Sequence, residues 1–505
     1  MMLLADVVAA SRRVASTRSR KEKVVELASM LVAAGEDELP VVAGLLAGEP
    51  RQGRIGLGWA AVASVDVEPA VRPTLTPLDV DGFLDAVPAL TGTGSSRSRQ
   101  EALGALMARA TSDEQDYLAA LLTGELRQGA LEGVLVEAIA AASSLEADLV
   151  RRAVMLGGSV PEAACVALLG GEEALRAISL ELLRPVRPML ASTASDPASA
   201  LVGPAVVDWK LDGARIQVHR LGDEVRVFTR NLNEVTERVP EVVDSARRLP
   251  VTAVVLDGES LAIDEGGAPR RFSDTMSRFG SDGGGDGQLA PFFFDLLHHD
   301  GEDLLDVPLV QRLERLWRIV PEAHRVPSIR TDDIREAEAF LDEAVRAGHE
   351  GIMVKDADSK YEAGRRGSAW RKVKPVHTLD LVVLAAEWGH GRRTGLLSNL
   401  HLGARDPESG VPVMLGKTFK GLTDEMLRWQ TERLLELEER RTAHTVWVRP
   451  ELVVEVALDG LVPSPRYPAG MALRFARVRA HRPDKSAAEA DTLDTVRRIF
   501  EREHN

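Results

Sequence analysis

The sequence predicts three domains: an all-α first domain, a mixed α/β second domain with mainly antiparallel sheets, and a small C-terminal β-barrel. The chain has 505 residues, enough for two to four domains of ordinary size. Apolar residues recur at helical spacing up to about residue 190 and at every second position from Val206 onwards. Pro375 separates this alternating region from a second one. We therefore expect domains over residues 1–195, 196–375 and 376–505.

The composition excludes several classes of protein. Hydrophobic residues make up 45% of the chain and charged residues 28%, which are ordinary values for a globular protein in water. Cys165 is the single cysteine, so an internal disulfide, a four-cysteine zinc module and an iron–sulfur cluster are ruled out. No apolar run approaches the roughly 18 to 20 residues that a membrane span needs, and Asp6 interrupts the apolar start. We expect a cytoplasmic protein with no membrane contact.

The first domain contains an internal sequence repeat. The segment 46–53 returns as 122–129 with the shared pattern Leu-x-Gly-Glu-x-Arg-Gln-Gly, and Arg-Ser-Arg at 18–20 returns at 97–99. Two copies favour a pseudo-twofold helical domain, since a solenoid usually needs three or more. The loops at Arg51 and Arg127 either follow helix-capping glycines or bring guanidinium groups to a phosphate backbone, and both readings stay open here.

A linker is expected between the first two domains. Residues 184–188 contain two prolines, and residues 191–200 are small and polar. In the second domain, 215–219 and 225–228 alternate around a turn at 221–224, which is the pattern of a β-hairpin. We also expect strands at 251–256, 291–297, 351–355 and 369–374 and a helix over 334–347.

The third domain is predicted to be a small β-barrel of the oligonucleotide-binding type, the OB fold. The predicted strands lie at 379–385, 400–404, 411–417 and 446–457, and an amphipathic helix covers 425–440. About five strands and one helix in this length are typical of that barrel.

The segment Asp-Trp-Lys-Leu-Asp-Gly-Ala-Arg at 208–215 carries the most chemical information. Lys210 ends an apolar strand, and a lysine amine is a useful nucleophile only when part of it is neutral, a state that nearby cations and partial burial favour. Arg215 could supply that charge and also hold a phosphate, and Gly213 lets the backbone approach a ligand. Taken alone, this segment also fits an ordinary Asp-Gly turn flanked by charged surface residues.

Further charged and aromatic residues stand at the edges of the later strands, where side chains can converge on one cleft. Two isolated carboxylates, Glu259 and Glu350, suit a Mg²⁺ ion that keeps several waters and bridges to phosphate oxygens, although two surface salt bridges are the alternative. Phe294 is either part of the core or a stacking partner for a purine.

Positive charge is concentrated in two stretches of a chain whose net charge is −15. Residues 360–374 contain six basic residues and one acidic residue, and residues 474–485 contain five and one. Such fields suit a polyphosphate or DNA, and a solvated basic surface is the alternative.

Taken in order, these motifs resemble those of the ATP-dependent DNA ligase family, one of the covalent nucleotidyltransferases. They are Lys-x-Asp-Gly-x-Arg at 210–215, Asp-Gly-Glu at 257–259, Glu-Gly-x-Met-Val-Lys at 350–355, Trp-x-Lys-x-Lys at 370–374, Arg-Phe-Ala-Arg at 474–477 and Arg-Pro-Asp-Lys at 482–485. Residues 187–190 resemble the start of the family's catalytic core, and the helical first third resembles the DNA-binding domain of the larger ligases. The resemblance covers nearly the whole chain.

The resemblance implies a nucleotidyltransferase core that uses ATP and Mg²⁺ to seal 5′-phosphate/3′-hydroxyl nicks in duplex DNA. Lys210 is the implied site of adenylylation, Glu259 and Glu350 are implied at the metal, and Arg482 and Lys485 would close over the nucleotide from the barrel. The full set of implied nucleotide contacts is Asp208, Arg215, Arg230, Glu259, Phe294, Arg366, Lys372, Lys374, Arg482 and Lys485. The implied enzyme is a monomer that encircles nicked DNA, and the sequence gives no signal for a sliding-clamp partner.

Three departures from the family pattern accompany this resemblance. Asp208 stands where the family usually has Glu, Ala476 stands where a proline is common, and Ala480 stands where the last motif often has another basic residue. An RNA ligase or a capping-type nucleotidyltransferase shares the same core, and a catalytically silent DNA-binding clamp is the alternative from another class. An NAD-dependent ligase is disfavoured because one cysteine cannot build that family's zinc module.

Overall fold

The computed structural model describes residues 2–504 except positions 54, 93, 127–131, 265, 267–268, 271, 281–287 and 363–365. The first part of the chain is helical, as predicted. Its helices are α1 (Leu4–Ser16), α2 (Arg20–Ala33), α3 (Leu39–Ala47), α4 (Trp59–Ala63), α5 (Pro77–Ala89), α6 (Ser95–Arg109), α7 (Ser112–Thr123), α8 (Glu132–Ser143), α9 (Ala147–Gly157), α10 (Val160–Cys165) and α11 (Gly171–Ala177).

The two copies of the repeated segment end their helices in the same way. Gly48 after α3 has φ 69° and ψ 20°, and Gly124 after α7 has φ 71° and ψ 20°. In both copies the next amide donates back to a carbonyl five residues earlier, which is the left-handed glycine cap of a helix. A side chain at Gly48 would approach Leu126 to 3.4 Å, so the two capped ends lie against each other.

The first Arg-Gln-Gly loop is engaged within the helical domain. The guanidinium of Arg51 forms ion pairs with Asp81 and Asp85 of α5, and the amide of Gln52 donates to the carboxylate of Asp81 at 2.7 Å. In this conformation Arg51 therefore serves the fold and is not free to hold a phosphate. The second copy, at Arg127, lies outside the described residues.

The second part is a mixed α/β unit. Its elements are β1 (Leu190–Thr193), α12 (Pro197–Ala200), β2 (Ala205–Lys210), β3 (Ala214–Leu221), β4 (Glu224–Thr229), α13 (Pro240–Arg247), β5 (Ala253–Ile263), α14 (Phe272–Gly280), β6 (Gln288–His299), β7 (Glu302–Asp303), α15 (Leu309–Ile319), β8 (Ser328–Thr331), α16 (Ile334–Arg346), β9 (Gly351–Asp356) and β10 (Arg366–Val373).

Two five-stranded sheets build this unit, in the orders β1-β10-β9-β2-β8 and β4-β3-β5-β6-β7. All neighbours are antiparallel except β1 and β10, so the predicted mixed and mainly antiparallel class is confirmed. The predicted hairpin is β3–β4. The prediction of a free linker over 191–200 is wrong, because β1 pairs with β10 and so belongs to the sheet that carries Lys210.

The third part is built around a seven-stranded sheet in which β13-β12-β11-β15-β14 are neighbours, β16 pairs with β11 and β19, and β17–β18 form a separate hairpin. Its elements are β11 (His377–Trp388), β12 (Leu397–Arg405), β13 (Pro412–Thr418), α17 (Asp424–Glu436), β14 (Glu438–Arg441), β15 (Thr445–Val448), β16 (Val453–Leu458), β17 (Gly460–Pro463), β18 (Met471–Arg474), β19 (Arg477–His481) and α18 (Leu493–His504).

Several sequence predictions for this part need correction. The single strand expected at 446–457 is two strands, β15 and β16, because Pro450 interrupts the run. The helix expected over 425–440 ends at Glu436, and the next residues form β14. Nine strands are present among the described residues, rather than about five, since four-residue strands are too short to show an alternation.

Hydrophobic clusters show how the parts are joined. One cluster contains Met155 and Leu156 from the helical domain together with Tyr361 and Trp370 from the mixed α/β unit. In the described part of the chain, the clusters of the third part contain only residues from Leu379 onwards. Among the described residues, no helix combines the length and the apolarity required to cross a bilayer.

Candidate active site

Lys210 is the last residue of β2, which lies between β9 and β8 in the first sheet. It lies opposite Gly351 in the β2–β9 ladder, and the amide of Glu350 donates to the carbonyl of Lys210 at 3.0 Å. The ammonium group of Lys210 also donates to the Glu350 carboxylate. The immediate partner of Lys210 is therefore an acid. The expected cationic neighbour, Arg215, is bound elsewhere.

Gly351 permits the close approach of strands that builds this corner. Its φ is +143°, and a Cβ atom there would lie 2.2 Å from the carbonyl oxygen of Val373 in β10. Any other residue would push β10 away. Because Lys374 follows directly, its ammonium group reaches Glu350 Oε1 at 2.7 Å.

Gly213 permits a second close approach. A Cβ atom at Gly213 would lie 2.5 Å from the carbonyl oxygen of Ser260 and 2.9 Å from Glu259 Cγ in β5. The sequence suggested that Gly213 admits a ligand, but the structure shows that it admits β5. The result is that Glu259 comes to lie beside the loop that follows Lys210.

The pKa values of the two carboxylates near Lys210 are shifted in opposite directions. Burial raises the pKa of Glu259 to about 7, although Lys210 and Arg215 oppose the shift. Burial acts in the same direction on Glu350, but Lys210 and Lys374 outweigh it and lower the pKa of Glu350 to about 2. Near neutral pH, Glu350 is therefore ionised, whereas Glu259 exchanges a proton readily.

Arg215 is held in a fixed orientation on β3. Its guanidinium donates to both oxygens of Asp257, at 3.1 and 2.7 Å, and to the carbonyl of Met189 at 2.7 Å. Asp257 is 1% exposed, and it also accepts a hydrogen bond from Tyr361 Oη at 2.7 Å. Burial disfavours the charged guanidinium, but Asp257 outweighs burial and raises the pKa of Arg215.

An aromatic corner stands next to Arg215. The rings of Phe294 and Trp370 meet edge to face with centroids 6.0 Å apart, and the Lys355 ammonium lies 4.4 Å from each centroid. Lys355 also forms an ion pair with Asp208 at 2.5 Å. Asp208 is buried, which raises its pKa against the effect of Lys355. The expected partner of Asp208 was the nucleotide, and the structure assigns it Lys355.

One site residue comes from the third domain and was missed by the sequence analysis. Arg474 ends β18, and its guanidinium lies 3.3 Å from Asp212 Oδ2 and 3.5 Å from Glu350 Oε1. Burial and the neighbouring Glu350 raise the pKa of Asp212, and Arg474 opposes them. Its motif, Arg-Phe-Ala-Arg, was recognised, but the site was assigned to the cations that follow it in the sequence.

Arg482 and Lys485, the cations that the sequence assigned to the nucleotide, form their ion pairs within the third domain. Lys485 pairs with Asp380, and Arg482 pairs with Asp484 at 2.7 Å and with Asp380 at 3.3 Å. Both therefore hold the surface of the third domain together.

The remaining predicted residues are spread around the site. Arg230 is exposed after β4. Lys372 lies on β10 opposite Met353 of β9. The backbone of Arg366 is paired with Leu190 of β1. The side chain of Arg366 lies outside the described part of the structure.

Comparisons with known proteins agree with this geometry. The ATP dependent DNA ligase domain matches residues 188–374, the ATP dependent DNA ligase C terminal region matches 393–485, and the DNA ligase N terminus matches 60–140. A probable DNA ligase from Saccharopolyspora erythraea is 56% identical over 501 residues, which cover 99% of this chain and 98% of the relative. The chain belongs to the ATP-dependent DNA ligase family.

A second relative and a solved structure extend this comparison. A probable DNA ligase from Rhodococcus opacus is 56% identical over 502 residues, covering 99% of this chain and all of the relative. The solved structure Pmar-Lig_PreS3 has a TM-score of 0.61 at 18% identity and covers 94% of this chain and 99% of its own, so the fold is shared over nearly the whole length. The predicted ATP-dependent DNA ligase, acting on nicked duplex DNA with ATP and Mg²⁺, is confirmed, which sets aside the RNA ligase, capping enzyme and silent clamp.

Proposed function

We propose that Lys210 is the nucleophile of this ligase and forms the covalent lysyl-AMP. Its amine would attack the α-phosphorus of ATP and release pyrophosphate, AMP would pass to the 5′-phosphate at a nick, and the 3′-hydroxyl would expel AMP. The observation that carries the assignment is the convergence of Lys210, Glu350 and Lys374 at one corner of the sheet. Each step is an in-line displacement at phosphorus, so positioning and charge neutralisation are the main sources of catalysis.

Before Lys210 can attack, its ammonium group must lose a proton. Glu350 accepts a hydrogen bond from that group and is the first acceptor within reach. Glu259 lies beside the same loop and has a pKa of about 7, so it can take up a proton at neutral pH. We assign proton removal to Glu259 and orientation of the ammonium group to Glu350.

The phosphates are assigned to the cations of the corner. Lys374 is already placed against Glu350, and Arg366 and Lys372 lie on the same strand, β10. Arg482 and Lys485 remain proposed contacts to the leaving pyrophosphate, and reaching it requires both to leave Asp380 as the third domain turns.

The base and the ribose are assigned to the aromatic corner. Phe294 is half-buried and supplies the face for adenine, and Arg215 is oriented by Asp257 to meet the ribose or the phosphate. Asp208 would act through Lys355, which stands against the same ring. We place Arg230 at the outer rim of this pocket.

The carboxylates fit a Mg²⁺ ion that is shared with phosphate. Among the described residues, no group of three or more His, Cys, Asp and Glu side chains could hold a metal alone, so an ion here would keep waters and phosphate oxygens as ligands. Glu350, which is ionised, and Glu259 would hold it. The ion would neutralise charge on the phosphates.

The three domains would together surround a nicked duplex as a monomer, with no sliding-clamp partner assigned. The helical domain over 1–195 would grip the backbone, the core over 196–375 would carry the chemistry, and the sheet over 376–505 would close as an OB-fold barrel. The large share of Asp and Glu, which gives the net charge of −15, means that the contacts must be local. We place the enzyme in the cytoplasm, in use at the nucleoid.

A labelling experiment tests this proposal. Wild type and Lys210→Ala are incubated with α-labelled ATP, GTP or NAD and run on a denaturing gel. We expect a covalent label from ATP alone in the wild type, and none in Lys210→Ala, which should still seal part of a pre-adenylylated nick. Lys417→Ala removes a comparable lysine–glutamate pair, with Glu387 in the third domain, and should label normally. Label on Lys210→Ala, or wild-type labelling from GTP or NAD, would contradict the assignment.

A further inference from the structure

The segment 183–189, which we call the strap, is bonded to the core on one side. The amide and the carbonyl of Val186 exchange hydrogen bonds with the side-chain amide of buried Gln217, at 2.8 and 3.1 Å. The amide of Leu183 donates to His219 Nδ1 at 3.2 Å. The sequence predicted a break and a linker here, but these bonds fix the strap against β3.

On its other side, the strap is bonded to the helical domain through Arg187. Its amide donates to the carbonyl of Met155 at 2.9 Å, and its Nε donates to the carbonyl of Gly158 at 3.1 Å. Its guanidinium pairs with Glu132 and lies 3.6 Å from Glu49. The Arg187 side chain is only 16% exposed, so these bonds are largely shielded from water.

The same short peptide reaches the nucleotide pocket. Two residues after Arg187, the carbonyl of Met189 accepts the hydrogen bond from Arg215, and the amide of Met189 donates to Tyr361 Oη at 3.1 Å. Pro188 stands between them and fixes one of the few backbone rotations available. A displacement of Arg187 is therefore passed on to the carbonyl that orients Arg215.

We propose that Arg187 is a positioning residue through which the docked helical domain sets the orientation of Arg215 in the nucleotide pocket. The inference rests on the proposed function, because Arg215 is assigned there to ATP. Arg187 touches no reacting atom. It fixes the peptide whose carbonyl accepts one of the hydrogen bonds that orient the Arg215 guanidinium, beside those to Asp257.

An apolar cluster also attaches the helical domain to the core. Met155, Leu156 and Leu180 are buried in one cluster with Val186 and Met189 of the strap, and burial of this apolar surface keeps the domains together. Loss of the Arg187 side chain should therefore leave the helical domain docked. The position of the strap relative to Arg215 should then be less fixed.

The test measures self-adenylylation of the full chain over a range of ATP concentrations. For Arg187→Ala we expect the apparent KM for ATP to rise about tenfold, the effect of one lost charge-assisted hydrogen bond, while the maximal rate changes less than about threefold. Arg187→Lys keeps the charge and should recover part of the loss. Glu132→Gln leaves the strap sequence intact and should raise KM in the same direction by a smaller factor.

Arg184→Ala is the matched control. Arg184 also binds the helical domain, at Glu162 and the carbonyl of Gly157, but it lies farther along the strap from Met189, whose carbonyl accepts the hydrogen bond from Arg215. It should keep the wild-type KM. The inference is overturned if Arg187→Ala keeps the wild-type KM, or if Arg184→Ala raises KM equally. Failure of the proposed function would look different, since the wild type would then carry no label.

Discussion

The two junctions of the core differ in how they are built. The helical domain meets the core through a shared hydrophobic cluster and through the strap, whose buried hydrogen bonds reach Gln217. The third domain meets the core at Arg474, which lies 3.3 Å from Asp212 and 3.5 Å from Glu350. Among the residues that the structure describes, the hydrophobic clusters of the third domain include none from the core.

This difference predicts which part of the ligase moves. Separating the helical domain would expose a buried apolar cluster, whereas partly exposed ion pairs such as those of Arg474 contribute only about 0 to 1 kcal/mol each. The third domain can therefore leave the Lys210 corner at small cost. Such movement is needed if Arg482 and Lys485 are to exchange Asp380 for pyrophosphate.

The largest expected effect lies in the core between the two junctions, at Gly351→Ala. The new Cβ atom would clash with the carbonyl of Val373, so β10 and Lys374 must shift. We expect a loss of several kcal/mol in the free energy of unfolding and loss of self-adenylylation. Gly348→Ala is the control, because Gly348 also has a positive φ, of +82°, but open space around it. Denaturant unfolding that finds the two variants equal would remove the role given to Gly351.

The next effect compares the two junctions directly. Gln217→Ala leaves the amide and the carbonyl of Val186 buried without partners, which should lower the free energy of unfolding by about 2 to 4 kcal/mol. Arg474→Ala removes two ion pairs worth about 0 to 1 kcal/mol each and should lower it by less. Chemical denaturation of both variants measures this contrast, and a larger loss for Arg474→Ala would reverse the comparison.

The pH dependence of stability compares the two carboxylates of the site. The pKa of Glu259 is about 7 in the folded protein, above its ordinary value, so its stabilising contribution is present at low pH and is lost as the pH rises through 7. Glu259→Gln should remove up to about 3 kcal/mol of pH-dependent stability between pH 5 and 8. Glu350, with a pKa of about 2, is ionised throughout this range, so Glu350→Gln should keep most of the pH dependence, because burial is the largest cause of the Glu259 shift and the Glu350 charge a smaller one. Thermal melts across this pH range, without ATP or Mg²⁺, provide the measurement.

The smallest expected effect is in hydrogen exchange at the junctions. The amides of Val186 and Arg187 are hydrogen-bonded to Gln217 and to Met155, so both should exchange slowly. Arg474→Ala should speed exchange around Asp212 without affecting the strap. Fast exchange of the strap in the wild type would contradict its fixed state.

The sequence predicted the parts of the site that depend on local pattern. Lys210, Glu259 and Glu350 stand in short motifs at strand ends, and the structure brings them to one corner. The sequence did not predict that Arg474 belongs to the site, because this residue reaches the site only through the packing of a separate domain. It also did not predict the strap, since prolines and small polar residues in sequence look the same whether their backbone is solvated or bonded to Gln217.

The most direct test of this account is small-angle X-ray scattering on two arginine variants, one at each junction. At about 150 mM salt and without ligands, Arg474→Ala should increase the maximum dimension and the radius of gyration, because the third domain is no longer held at Asp212 and Glu350. Arg187→Ala should leave both unchanged, because the shared cluster keeps the helical domain docked. Expansion of Arg187→Ala with no change in Arg474→Ala would contradict the account.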